Sequence, residues 1–190
     1  MIREARSDEA EALAELQRDA SLAALAHIFP PERYPFPLDD VRERWRAALA
    51  EIQRDASLAA LAHIFPPELY PYPMDEVTRR WEDSLADGEI TVLVAEEDNV
   101  AAGVAGCRDE WLDGLYVLPQ FWSRGVGRAL HDEVLERLRA AGCERCHLWV
   151  LEHNERARRF YERLGWTENG TSRVVPFPPK PIDLGYSISL

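Results

Sequence analysis

Two periods of apolar residues divide the chain. Ile90-Thr-Val-Leu-Val-Ala95 is a β-branched run and predicts a strand. Val100–Cys107 predicts a second, after the turn Glu97-Asp98-Asn99, and Trp111–Leu118 a third, closed by Pro119. From Gly125 to Ala141 the period lengthens. Val126, Leu130, Val134 and Leu138 mark one face of a helix that stops at Gly142. Cys146–Leu151 predicts another strand. Asn154–Leu164 predicts a helix with Ala157, Phe160, Tyr161 and Leu164 on one face, ended by Gly165. Strands near Trp166–Asn169 and Asp183–Leu190 flank a proline-rich loop at 176–181. With a first strand at Met1–Ala5, the order is strand, helices, three strands, helix, strand, helix, two strands. That order predicts an α/β fold with a mixed sheet.

Between the first two strands the pattern repeats itself. Residues 17–32 recur unchanged at 53–68, and the likeness continues to residues 52 and 88, with 25 of 36 positions identical. Two copies are too few for a solenoid. They read as a tandem repeat, 17–52 and 53–88, inside one domain spanning 1–190. Each copy reads as helix, proline-rich turn, helix. The first helix runs from about Asp8 to Phe29 and stops at Pro30-Pro31. Asp39 and Asp75 are candidate caps or first-turn acids. Copy two ends at Gly88, a good stop, but copy one has Ile52 there. A helix therefore runs through from Leu38 to Phe65, roughly 40 Å long.

Short connections tie the helix at 8–29 to the first strand and the helix at 75–86 to the second. Those two are expected to cover the sheet, leaving 30–74 surplus. The apolar set Val41, Trp45, Leu49, Ile52, Leu58, Leu61 and Phe65 would then need a partner, and a homodimer exchanging arms is expected. The alternative is that copy two displaces copy one from the sheet.

Composition adds limits. Of 190 residues, 46% are apolar and 29% charged, enough for a sizeable core. The net charge of −12 argues against nucleic acid or an anionic membrane and favours a neutral or cationic partner. The charge is uneven: residues 1–118 hold 11 basic and 25 acidic side chains, residues 119–190 hold 11 and 9. Cys107, Cys143 and Cys146 give no disulfide framework. Cys143 and Cys146 have redox spacing, but they follow a helix end instead of opening a helix, so buried thiols are expected and no metal site. The start of the chain lacks a signal-peptide core, and no apolar run approaches the ~20 residues of a membrane span. A cytoplasmic location is expected.

Two segments carry candidate chemistry. Leu115-Tyr-Val-Leu-Pro119-Gln-Phe-Trp-Ser-Arg124-Gly-Val-Gly127-Arg-Ala-Leu130 is a strand, a loop and a helix start. Gly125 and Gly127 let backbone N–H groups converge, and the helix dipole, Arg124 and Arg128 add positive charge. This suits a pyrophosphate, and equally a tight structural turn. The second is Asn154-Glu-Arg-Ala157-Arg-Arg-Phe160-Tyr-Glu-Arg-Leu164-Gly-Trp166. On pattern alone Asn154 is a helix cap and Tyr161 a core tyrosine.

In this order and spacing the two segments resemble the motifs of the GNAT superfamily of N-acetyltransferases. The predicted element order is similar to that fold, a mixed, mostly antiparallel sheet flanked by helices, along the whole chain apart from the inserted helical segment. One position departs: the family usually has Gln or Arg three residues before the first glycine, and this chain has Trp122. The resemblance implies acetyl-CoA held in a split between the strands Trp111–Leu118 and Cys146–Leu151. Tyr116 and Val117 would flank it, with the Val117 amide on the thioester carbonyl. Arg124, Gly125, Val126, Gly127, Arg128 and Ala129 would hold the pyrophosphate, and Asn154 the pantetheine arm. Tyr161 would be the general acid for the leaving thiolate.

The acceptor amine must lose a proton to a carboxylate or a water. Asp113 and Glu110 are the candidates, and strand alternation puts them on opposite faces, so at most one serves. Asp113 shares parity with Val117. The acceptor wall would come from Glu68, Tyr70 and Tyr72 of copy two, or Glu32, Tyr34 and Phe36 of copy one. His27 and His63 sit on alanine-rich faces and read as structural. The expected activity is acetyl transfer to a primary amine of a small molecule or peptide, the acceptor cationic if it complements the acidic N-terminal portion. The alternatives are a non-catalytic acyl-CoA-binding module, or a chain whose repeated helices chiefly drive oligomerisation.

Overall fold

A computed structural model describes residues 2–4, 38–86, 90–97 and 100–190. The helix expected at 8–29, with His27, and the candidates Glu32, Tyr34 and Phe36 lie outside the described residues, as does the Gly88 stop. The described elements are β1 (Ile2–Glu4), α1 (Leu38–Leu61), α2 (Met74–Ala86), β2 (Thr91–Glu97), β3 (Val100–Arg108), β4 (Trp111–Val117), α3 (Val126–Ala140), β5 (Arg145–Leu151), α4 (Glu155–Arg163), β6 (Thr167–Val174) and β7 (Ile182–Ser189). The strands form one sheet in the order β1-β2-β3-β4-β5-β7-β6. All neighbours run antiparallel except β4 and β5, which are parallel. This is the mixed, mostly antiparallel α/β sheet that the element order predicts.

Side-chain alternation gives the sheet two unlike faces. On one, Leu130, Val134 and Leu138 of α3 pack with Leu93, Ala105, Leu112, Val117, Leu148 and Tyr186. On the other, Val92, Val94 and Val104 meet Val77 and Trp81 of α2 and Leu49, Ala50 and Ile52 of α1.

That second cluster corrects the expectation that 30–74 is surplus. Leu49, Ala50, Ile52 and Ala56 are 7% exposed or less. The through-running helix does form across the junction of the two copies, but it lies on the sheet. Gln53 fastens it: its buried Oε1 accepts from Trp81 Nε1 at 2.9 Å and from Arg80 at 3.2 Å. Of the apolar set expected to need a partner, Leu49 and Ile52 are covered within the chain. The helix also ends earlier than expected. Beyond Leu61 the N–H groups of Ile64 and Phe65 both turn back to the Leu61 carbonyl at 2.8 Å, ahead of Pro66-Pro67.

Two irregularities in the sheet shape the site. Between Gly106↔Gly114 and Cys107↔Leu112 the ladder slips, and Asp113 is the extra residue, unpaired across the strands. The bulge removes the shared parity of Asp113 and Val117. The second irregularity is a split: β4 and β5 share a single bridge, Trp111↔His147, and part beyond it.

Candidate active site

The split opens into a cavity of about 540 Å³. Its lining comes from α1 (Ala56, Ser57, Ala60, Leu61), from the end of β4 (Leu115, Tyr116, Val117), from the loop after it and from α4.

Val117 marks the open edge. Leu118 N–H donates to the Ala102 carbonyl at 2.9 Å. Antiparallel pairs alternate, so Val117, opposite Gly103, turns its N–H and C=O away from β3 and toward the split. Trp122 Nε1 donates to the Val117 carbonyl at 2.7 Å, while the Arg156 guanidinium lies 3.8 Å above the Trp122 ring. The residue that departs from the family pattern thus fixes the peptide at the split and carries a cation on its face.

The helix start beside it is uncapped. Gly125 precedes α3 with φ +90°, a left-handed conformation that favours glycine, and a Cβ there would meet nothing within 4 Å. No side chain caps the helix, and the first helical bond runs from Ala129 N–H to the Gly125 carbonyl. The amides of the first turn therefore face outward as donors. Arg128, Arg156, Arg159 and Arg163 add four guanidiniums to the cavity lining.

On α4, Asn154 Oδ1 accepts from the Ala157 N–H at 3.2 Å, which leaves its side-chain NH2 for a ligand. Tyr161, buried in the helix face, lies edge-on to Phe160 and Trp166. Burial pushes its hydroxyl pKa well above the usual tyrosine range, so it stays protonated and able to donate. Tyr116 points to the α1/α2 face, edge-on to Trp81. Its ring lies back over Gly114, where a Cβ would stand 2.7 Å from it. Tyr72, also on that face, buries a hydroxyl with no hydrogen-bond partner; Ser57 faces it without completing a bond. Burial pushes this phenol up to about 12.

Tyr116, Val117, Gly125, Gly127, Arg128, Asn154 and Tyr161 therefore gather round one cavity as expected. Other expected residues do not line it. Arg124 turns its guanidinium over Phe121, 5.4 Å from the ring centre. Val126 is in the core, and the Ala129 amide is spent in the helix. Glu110 is exposed, 4.0 Å from His147. Asp113 stands at the bulge, 3.9 Å from Arg108, its pKa raised by partial burial. Glu68 is exposed and Tyr70 half-buried, outside the lining. His63 Nε2 contacts the His153 carbonyl at 2.9 Å, a structural tie between loops. Cys107, Cys143 and Cys146 are not joined in disulfides, and burial pushes Cys146 up to about 12. Among the described residues no His/Cys/Asp/Glu group could hold a metal, and no helix is long and apolar enough to cross a membrane.

Sequence reasoning missed Ser57 and the triplet Arg156, Arg159 and Arg163. The spacing of those arginines along α4 was the available signal. The family profile described as "Acetyltransferase (GNAT) family" matches residues 20–166. The chain belongs to the GNAT acetyltransferase family. An uncharacterised N-acetyltransferase of Archaeoglobus fulgidus is 36% identical over 81 residues, 37% of this chain and 55% of that protein. Mycothiol acetyltransferase of Beutenbergia cavernae is 48% identical over 56 residues, 28% of this chain and 19% of that one. The matched part thus spans about half or less of these curated relatives. Among solved structures, the ribosomal-protein-alanine N-acetyltransferase of Brucella melitensis superposes with a TM-score of 0.60 at 20% identity, over 100% of this chain and 99% of that chain. YjaB of Escherichia coli gives 0.59 at 20%, over 98% and 95%. Both share the GNAT fold with this chain. Its residues fit an acyl-CoA: uncapped amides and guanidiniums for phosphates, a strand edge with an outward N–H, and a buried phenol.

Proposed function

We propose that the chain moves an acetyl group from acetyl-CoA to a primary amine. The observation that carries this is the split itself. The outward N–H of Val117 and the protonated hydroxyl of Tyr161 border one cavity, whose lining also includes the α3 start and four arginines. Acetyl-CoA supplies an activated thioester when bound. The α3 amides with Arg128, Arg156, Arg159 and Arg163 would hold its phosphates. The Asn154 NH2 would bond the pantetheine arm. The Val117 N–H would donate to the thioester carbonyl and stabilise the charge that grows there.

As the new C–N bond forms and the C–S bond breaks, Tyr161 would give its proton to the departing sulfur and regain one from solvent. The amine must arrive neutral. Glu110 and Asp113 stand outside the cavity, so a water held by Ser57 is the proton acceptor this reading favours over a carboxylate.

Thiol release from acetyl-CoA over a panel of primary amines, set beside calorimetry of acetyl-CoA, tests the reading. Binding with turnover supports it. Binding with no thiol release on any amine would make the chain a non-catalytic acyl-CoA module.

A further inference from the structure

In a sheet that stayed closed, a β5 N–H would take the Val117 carbonyl. Here β4 and β5 share only the bridge Trp111↔His147, so the ladder supplies no such donor. Trp122 supplies it instead, through its indole Nε1–H. The loop is built to bring the indole back. Pro119–Phe121 makes one 3-10 turn, in which the N–H groups of Phe121 and Trp122 bond the carbonyls of Leu118 and Pro119 at 2.9 and 3.2 Å. Five residues after Val117, the chain has turned far enough for the indole to reach the strand it has just left.

The peptide between Val117 and Leu118 is thus held from both sides. Its N–H donates to the Ala102 carbonyl at 2.9 Å, and its carbonyl accepts from Trp122 at 2.7 Å. This fixes the peptide plane next to the Val117 N–H, which faces the split. It also bears on charge. The N–H and C=O of Val117 point the same way, so an unpaired carbonyl would aim its negative end at the place where charge grows on a thioester oxygen. A hydrogen bond on that carbonyl offsets it. The ring face of the same side chain carries the Arg156 guanidinium at 3.8 Å, and Val117, Trp122 and Arg156 all line the cavity. Resting on the acetyl-transfer reading, we propose that Trp122 is a positioning residue for that reaction. By donating to the Val117 carbonyl it orients the Val117 N–H for the acyl carbonyl while the split stays open to the ligand. The departure from the family pattern at 122 then serves the acyl end of the site. A half-buried indole also bonds a carbonyl simply to satisfy its own N–H, and that ordinary role predicts a change in stability alone.

Trp122→Phe keeps a ring for Arg156 and removes the N–H. The probes are acetyl-CoA and ethyl-CoA, the thioether with a methylene in place of the acyl carbonyl. By calorimetry, which needs no turnover, the preference for acetyl-CoA over ethyl-CoA should fall about threefold in Trp122→Phe, with ethyl-CoA affinity unchanged. With any accepted primary amine, kcat should fall about tenfold, more than the KM for acetyl-CoA rises, because the contact strengthens as charge develops. Arg156→Gln keeps the indole donor. It should weaken both probes alike, about fivefold, and keep the preference. A lower Tm in Trp122→Phe with preference and kcat unchanged overturns the positioning role, while thiol release by that variant would keep the acetyl-transfer reading. Equal affinity of wild type for the two probes, or a preference lost in Arg156→Gln and kept in Trp122→Phe, overturns it as well. The expected order of preferences, with no thiol release from wild type on any amine, keeps the positioning role and removes the acetyl-transfer reading.

Discussion

The two faces of the sheet are filled in different ways. The α3/α4 face is a continuous apolar core, closed around one polar ring: His131 is 2% exposed and takes the Trp166 Nε1–H on its Nε2 at 2.8 Å. The α1/α2 face has a smaller core bridged by an amide, Gln53. It also buries a tyrosine hydroxyl without a partner and carries a stacked tryptophan pair beyond the helices. A close-packed apolar face holds the groups that bind a fixed ligand. A polar face with unmet hydrogen bonds is where a variable ligand can make them. On this reading the first is the cofactor side and the second the acceptor side.

The largest expected effect falls where the two faces meet. Tyr161→Phe keeps the buried ring and removes the proton, so turnover should fall roughly 10²–10⁴-fold with acetyl-CoA affinity unchanged. Equal turnover would return Tyr161 to the core. Next is Gly125→Glu on the cofactor side. A Cβ there meets nothing, so the change is sterically open, but it adds an anion to the phosphate cradle at φ +90°. Calorimetry should show acetyl-CoA affinity down about a hundredfold or more, with the fold kept at a cost of roughly 1–3 kcal/mol. On the acceptor side, Ile52→Val should cost about 1 kcal/mol in denaturant melts. No loss at all would mean that α1 does not rest on the sheet.

The faces differ just as much in what the sequence disclosed. The cofactor side draws its polar groups from two continuous segments, 115–130 and 154–166. Local spacing there carries the information, and seven of the expected residues meet at the cavity. Local reading failed where side-chain placement depends on neighbours in space. Asp113 shares parity with Val117 in any unbroken strand, and one bulge in the β3–β4 ladder undoes that. The α1/α2 face joins residues from 49–85 with strand residues from 92–118, and no sequence spacing links them. The repeat misled for a related reason. Two copies offer similar apolar residues, and connection length favoured the helix at 8–29 for a place on the sheet where Leu49, Ala50 and Ile52 of α1 pack.

His131 offers a smaller contrast. Its ring accepts from Trp166 on one side and meets Asp132 Oδ1 at 2.8 Å on the other. Burial lowers its pKa despite Asp132, with Arg128 and Arg139 pushing the same way as burial. Below about pH 6.5 the unfolded chain takes a proton on this histidine that the folded chain refuses. Stability should therefore hold above that pH and decline as the pH falls toward the lowered folded value. Melts of wild type and His131→Gln at pH 7.5 and 5.5 isolate the share of this residue. An unchanged difference between the two proteins would mean that the ring titrates freely.

The largest change to the chain should have the least effect. Ala12-Leu-Ala-Glu-Leu16-Gln17 reads like Ala48-Leu-Ala-Glu-Ile52-Gln53, so deleting 17–52 joins Leu16 to Gln53 without a break in the pattern. Leu13, Ala14 and Leu16 then stand where Leu49, Ala50 and Ile52 now meet the sheet. Gln53 and Ala56 keep their own places. Among those buried positions only isoleucine changes, to leucine, a swap that usually costs less than ~1.5 kcal/mol. In a chain of this size that is a shift in Tm of no more than about 5 °C. The shortened helix would also follow β1 directly, as short connections prefer. Thermal melts and acetyl-CoA calorimetry on the deleted chain should match the full chain within those margins. A deleted chain that fails to fold would show that residues 17–52 hold a place on the acceptor side that residues 1–16 cannot take, and would make the repeat a working part of that face.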